Sequence, residues 1–267
     1  MKAVKLGRNL KTILQAIEPI VEKTRSHTKE TFFKLRQMQE IYLKRSSERY
    51  SYSHMKRIKR HFASVEFKFF LTSIHLERLW ALSEDARFDL VDAVANSLER
   101  LEWTANQSVI GSLFLESFLF EARSFLDVYM FYICLIMGID NPGTMKVTKF
   151  KQYMRSRKET SFEKRATQLL KYFEQQVFGK DHWGELLRSL RDKISHRERL
   201  SPSRHGSETL LGKVLLDWPT LRRKTFDRFC QDIDNGMFEM LCETSPILFE
   251  LEWKSGPYKP DLWGVTR

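Results

Sequence analysis

Apolar residues recur at every third or fourth position over residues 9–45: Leu10, Ile13, Leu14, Ile17, Ile20 and Val21, then Phe32, Leu35, Met38 and Tyr42. That period predicts amphipathic helix, kinked or divided at Pro19. Residues 46–53 are Ser-rich and read as a polar turn. A second helix is expected over 53–82, with Phe62, Val65, Phe69 and Leu76 towards a core. Ser83 is a candidate N-cap, with Glu84 and Asp85 at the positive end of a helix reaching about residue 103. A long, strongly apolar helix follows over about 106–137 and stops at the turn Asn141-Pro142-Gly143.

Beyond that turn the pattern predicts a helix over 161–178, capped by Ser161. Another is capped by Asp181 and carries Trp183, Leu186, Leu187, Leu190 and Ile194 on one face. Residues 199–207 read as a polar loop and 209–216 as a short strand. Pro219 suits the first turn of a last helix running to about residue 243. The tail holds Pro246, Gly256, Pro257 and Pro260 and reads as irregular. The expected class is all-α. A basic N-terminal helical region spans 1–105, a helical bundle 106–245 and a tail 246–267.

Composition narrows this picture. Hydrophobic residues at 42% and aromatic residues at 13% exclude a disordered chain, and 11 Gly with 7 Pro argue against a turn-dense all-β fold. The net charge of +11 is concentrated: residues 1–60 hold 16 basic and 5 acidic side chains, and residues 61–267 hold 29 of each. Such asymmetry points to an acidic partner. Three cysteines, Cys134, Cys230 and Cys242, form neither a disulfide framework nor a zinc spacing, so a reducing, cytoplasmic setting and no metal are expected. Residues 1–17 lack the apolar core of a secretory leader. The apolar segment 109–139 is interrupted by Glu116, Glu121, Arg123 and Asp127, so no membrane span is expected. The P-loop, dinucleotide-binding, zincin and nucleophile-elbow patterns are all missing from the sequence.

Three features carry candidate chemistry. Glu116, Arg123 and Asp127 stand at i, i+7 and i+11 of the apolar helix, within about 40° of one another around its axis. Charges on so apolar a helix either pair as a ladder that fixes register or line a wet cleft. Glu121 points about 140° away, to the surface or a secondary contact. The second feature is Lys44, Arg45, Arg49, Lys56, Arg57, Lys59 and Arg60, interleaved with Tyr42, Tyr50 and Tyr52. It reads as phosphate contact plus base stacking on a single strand, as a solvated face, or as a patch for an acidic protein. Residues 146–158 are a lesser basic candidate. His27, His61, His75 and His182 read as structural or surface residues.

The segment LLRSLRDKISHRERL contains Arg191-Asp192-Lys193-Ile194-Ser195-His196, an R-x-x-x-x-H pattern with a polar residue after the Arg and an apolar residue two before the His. It resembles the signature of the HEPN superfamily, helical-bundle proteins in which this motif forms a metal-independent ribonuclease site. The resemblance covers about residues 106–243. Arg49…His54 has the same spacing in a polar turn, and Arg199…His205 a longer one in a polar loop. The resemblance implies an endoribonuclease that cuts single-stranded RNA by attack of its own 2′-OH, leaving a 2′,3′-cyclic phosphate and a 5′-hydroxyl. His196 suits proton transfer near neutral pH, Arg191 suits charge stabilisation of the phosphate, and Asp192 suits orienting either one. No cofactor is implied. Residues five apart on an ideal helix point about 140° apart, so a helix ending near Ser195 is expected, freeing His196 to swing. The resemblance also implies a composite site in a homodimer, roles as a toxin or antiphage effector, and an antitoxin or regulatory protein as partner. The alternative is a non-catalytic module of the same type that binds nucleic acid or a partner protein.

Overall fold

The computed structural model describes residues 28–89, 97–157, 161–195, 206–208, 214–216, 220–221 and 224–251; among residues 81–110, 191–223 and 225–227 it describes the backbone alone. The expectations for residues 1–27, including a kink at Pro19, and for 252–267 lie outside the described residues. Most of what is described is helix. In chain order the helices are α1 (residues 28–45), α2 (Tyr52–Asp89), α3 (Ser97–Ile136), α4 (Val147–Ser156), α5 (Glu163–Tyr172), α6 (Trp183–Ser195) and α7 (Phe226–Phe249). Two small antiparallel ribbons precede α7. In one, β1 (Gly206–Glu208) pairs with β2 (Val214–Leu216); in the other, β3 (Thr220–Leu221) pairs with β4 (Lys224–Thr225). The class is all-α.

The frame is an antiparallel run of α1, α2 and α3. Lys59 of α2 bonds Glu40 of α1 at 2.7 Å, and Phe69, further along α2, meets the earlier Phe32 at 5.5 Å. Likewise His61 meets Phe131 of α3 at 4.5 Å, and Lys68 bonds the earlier Glu121 at 2.8 Å. At 38 and 40 residues, α2 and α3 reach about 57 and 60 Å. α7 closes the bundle, with Phe238 set 6.3 Å from Phe69 and Thr244 bonded to Tyr129 at 2.5 Å. α3 lies at the centre: residues 132–137 are buried without interruption, and Leu115, Leu119, Ala122, Leu126 and Met130 continue the buried face towards its start.

Local rules and tertiary packing set the boundaries differently. Ser83 caps nothing, because α2 runs through it to Asp89. An N-cap needs a residue with non-helical backbone, and the surrounding residues 80–89 hold neither Gly nor Pro to supply a break. The break expected between residues 103 and 106 is missing, because α3 runs through it from Ser97 to Ile136. Residues from α1, α2, α3 and α7 therefore share one hydrophobic core. α5 begins at Glu163 and not at a Ser161 cap, with Phe162 in the cap position and no side-chain bond there. The Phe162 ring lies 4.7 Å beneath the guanidinium of Arg165, so packing fixes this end. After Tyr172 the chain widens into a π turn, Phe173–Val177, which buries both end residues.

α7 starts at Phe226, later than Pro219, because the chain before it is taken up in the second ribbon. It also continues through Pro246, expected to be irregular, to Phe249. Proline removes one ladder hydrogen bond. The turn survives because Leu248 and Phe249 are buried, Phe249 meeting Tyr42 at 5.9 Å. The hydroxyls of Thr244 and Ser245 bond back to Met240 and Leu241, each at 2.6 Å.

The C-terminus of α3 is closed from two directions. Gly138 adopts φ +73°, and the amides of Gly138 and Ile139 bond the carbonyls of Leu135 and Cys134, each at 3.0 Å. This satisfies carbonyls that a helix end would otherwise leave open. From the α1–α2 turn the Tyr50 hydroxyl donates to the Ile136 carbonyl at 2.5 Å, and from the first turn of α2 His54 Nε2 donates to the Leu135 carbonyl at 2.9 Å. His54 Nδ1 meets Asp140 at 2.5 Å, and the imidazole stacks on Tyr50 at 5.1 Å. Tyr50 in turn bonds Tyr42 at 2.7 Å, and Arg165 donates to Tyr42 and to the Leu248 carbonyl at 2.9 Å each.

Candidate functional site

The R-x-x-x-x-H segment sits at the end of α6. This helix is held by Leu187 and Leu190, both buried, and by half-buried Trp183 and Leu186. At Gly236 of α7, an added Cβ would come within 2.4 Å of the Trp183 ring. The close approach of α6 to α7 therefore requires glycine there. Arg191 and Asp192 lie in the last turns of α6, whose final described residue is Ser195. Their side chains, and His196 entirely, lie outside what is described.

The same-spaced pair Arg49…His54 has a different use. Residues 46–50 form the turn between α1 and α2, and His54 is buried in the closure of α3. Both of its nitrogens face acceptors, so its ring is committed to structure.

The basic cluster is split between two helices. Lys44 and Arg45 are exposed in the last turn of α1, where the helix dipole favours cations. Lys56, Lys59 and Arg60 are exposed on the early turns of α2, near its positive end, where the dipole gives no such reason for them. Lys59 pairs with Glu40, and Arg57 donates to the carbonyl of Asp140 while standing 5.7 Å over the Phe131 ring. Tyr42 and Tyr50, expected to stack bases, are buried in the core; Tyr52, 80% exposed, remains on the surface. Hydroxyl pairing with Arg165 and the Ile136 carbonyl draws the first two inward, which the sequence pattern did not reveal. In the lesser basic stretch, Lys151 and Arg155 both pair with Glu174, at 3.4 and 3.3 Å.

The polar stripe of α3 opens onto a groove of about 350 Å³. Arg123 and Asp127 pair at 2.9 Å and both line it. Glu116 is half-buried about two turns earlier and is not part of the lining, while Glu121 pairs with Lys68 on another side of the helix. Phe120, Val128, Phe131 and Met145 supply the apolar wall, and Ser124 and Thr144 supply hydroxyls. His61, expected to be a structural or surface residue, completes the groove from α2. Burial holds its imidazole below the ordinary value, and the charges of Arg57 and Arg60 push the same way, so the ring is neutral at pH 7. Its place within a run of arginines was the available signal; its pairing with Phe131 depends on cross-helix register.

A second polar group is sealed in the core. Asp234 of α7 accepts from Ser73 of α2 at 3.4 Å and is 3% exposed. Among the described residues, no group of three or more His, Cys, Asp or Glu side chains is placed to hold a metal ion. No described helix is long and apolar enough to cross a membrane. Compared with protein-family models, with curated proteins and with solved structures, the chain matches none of them.

Proposed function

We propose that the protein is a metal-independent endoribonuclease of HEPN type acting on single-stranded RNA. The observation that carries this reading is Arg191-Asp192 in the last turns of α6, with His196 one residue beyond Ser195. His196 moves the proton of the 2′-OH or of the leaving 5′-oxygen, Arg191 stabilises the charge gathering on the phosphate, and Asp192 positions one of them. Exposed Lys56 and Arg60, with Lys44 and Arg45, supply sequence-independent grip on the backbone. The site is completed by a second copy of the chain, and the role is that of a toxin or antiphage effector restrained by a partner protein.

The test is incubation of the purified chain with end-labelled single-stranded RNA in excess EDTA. Cleavage to 2′,3′-cyclic phosphate and 5′-hydroxyl ends should persist in chelator and stop in His196→Ala. Cleavage that continues in both His196→Ala and Arg191→Ala removes this site from the mechanism. A second reading, a non-catalytic nucleic-acid-binding module, is favoured by the cations on α2 and predicts salt-dependent binding with no cleavage.

A further inference from the structure

We propose that the groove between α2 and α3 is a nucleotide-binding site, with a base laid against Phe120, its edge read by Arg123 and Asp127, and its phosphate turned to the cations at the rim. The inference does not depend on cleavage at α6. Three observations carry it. The first is shape and wall: about 350 Å³ of open groove falls within the range of small-ligand sites, and its lining is apolar with a few convergent polar groups. Within that wall Phe120 is 59% exposed, a large aromatic face presented to a cleft. Exposed aromatic faces beside positive charge are what stacking of an unpaired base uses.

The second observation is a charged pair in the lining. The side chains of Arg123 and Asp127 are 14% and 35% exposed, pair at 2.9 Å, and both line the groove. The guanidinium carries hydrogen-bond donors only. Beside it, the Asp127 carboxylate presents acceptors only. A donor next to an acceptor matches the edge of a nucleobase, which carries both kinds of group side by side.

The third observation is the placement of charge. The Arg57 guanidinium stands over Phe131, and Lys149 Nζ lies 2.9 Å from where a Cβ on Gly143 would sit, so both flank residues of the lining. An acidic peptide would meet the Asp127 carboxylate and leave Phe120 unused. A purely apolar ligand would leave the Arg123–Asp127 pair unused. A nucleotide has a flat face, a mixed edge and an anion, and uses all three. Its source is either a free mononucleotide or one unit of a single strand.

Isothermal titration with AMP and GMP, with the matching nucleosides, and with a DNA decamer that lacks the 2′-OH needed for cleavage tests this. Binding of the mononucleotides should weaken about tenfold or more in Phe120→Ala, in line with the cost of losing a base–aromatic stack, and should survive in Phe120→Trp. Loss of the phosphate should weaken it again, and Arg123→Met should do so with the chain still folded by circular dichroism. A decamer bound far more tightly than either mononucleotide identifies the strand as the source; equal or weaker decamer binding identifies the free nucleotide. If none of the probes binds, or if Phe120→Ala binds as the parent does, the proposal is wrong. Nucleotide binding without any RNA cleavage would defeat the ribonuclease reading alone, and the reverse result would defeat only the groove.

Discussion

Asp234 is a carboxyl group buried in the bundle. Burial pushes its pKa up to about 7; the hydrogen bond from Ser73 opposes the shift and the charge of Glu77 adds to it. In the unfolded chain an aspartate titrates near 3.9, so from about pH 4 to 7 the folded chain holds a proton that the unfolded chain has released. The contribution of this group to stability is therefore greatest below about pH 4, falls as pH rises through 7, and is level above that. Asp234→Asn removes the titration and keeps a polar group for Ser73. We expect it to stabilise the fold by about 1–3 kcal/mol at pH 8 and by much less at pH 5. Thermal unfolding of both proteins at the two pH values checks this, and an equal gain at each pH would contradict it. The spacing of residue 234, four after Cys230 and three before Met237, puts it on the buried face of α7; its meeting with Ser73 there depends on which helix covers that face.

Between helices, Gly236 makes the sharpest demand. Gly236→Ala drives a methyl group into the Trp183 ring, and overpacking of this kind costs about 1–3 kcal/mol. Because α6 carries Arg191 and Asp192, the substitution should also reduce the proposed RNA cleavage in protein that remains folded; urea titration and turnover measured on the same sample separate the two effects. On α2 the expectation is the opposite. Lys56 and Arg60 are exposed, so K56Q/R60Q should leave Tm unchanged, weaken binding to single-stranded RNA, and lower the salt slope by about 0.7 for each phosphate that is no longer neutralised. The elements themselves were largely legible: the three-to-four period placed α2, α3, α6 and α7. Their ends were less so. Ser83, Ser161 and Pro246 carry the usual punctuation, yet a continuous helix overrides the first, the Phe162–Arg165 contact the second, and the burial of Leu248 and Phe249 the third.

For the whole molecule, one core joins the helices on both sides of residue 105, and the charge asymmetry of the chain becomes a cationic surface on α1 and α2 beside it. The motif at Arg191 was visible in a linear reading because its residues are close in sequence. The groove was only half visible: Arg123 and Asp127 show as a stripe on one helix, but His61, Gly143 and Thr144 join them only through the crossing of α2 and α3 and the return of the chain after Gly138. The closure of α3 has a consequence for how the chain is made. His54 is separated from Asp140 by 86 residues, and Tyr50 from Ile136 by the same number. During synthesis from the N-terminus, the turn that stops α3 leaves the ribosome before the helix it stops exists. The leading helices must wait, with this histidine and tyrosine lacking their α3 partners, until the chain has grown past residue 140; only then does the first hairpin acquire its final contacts.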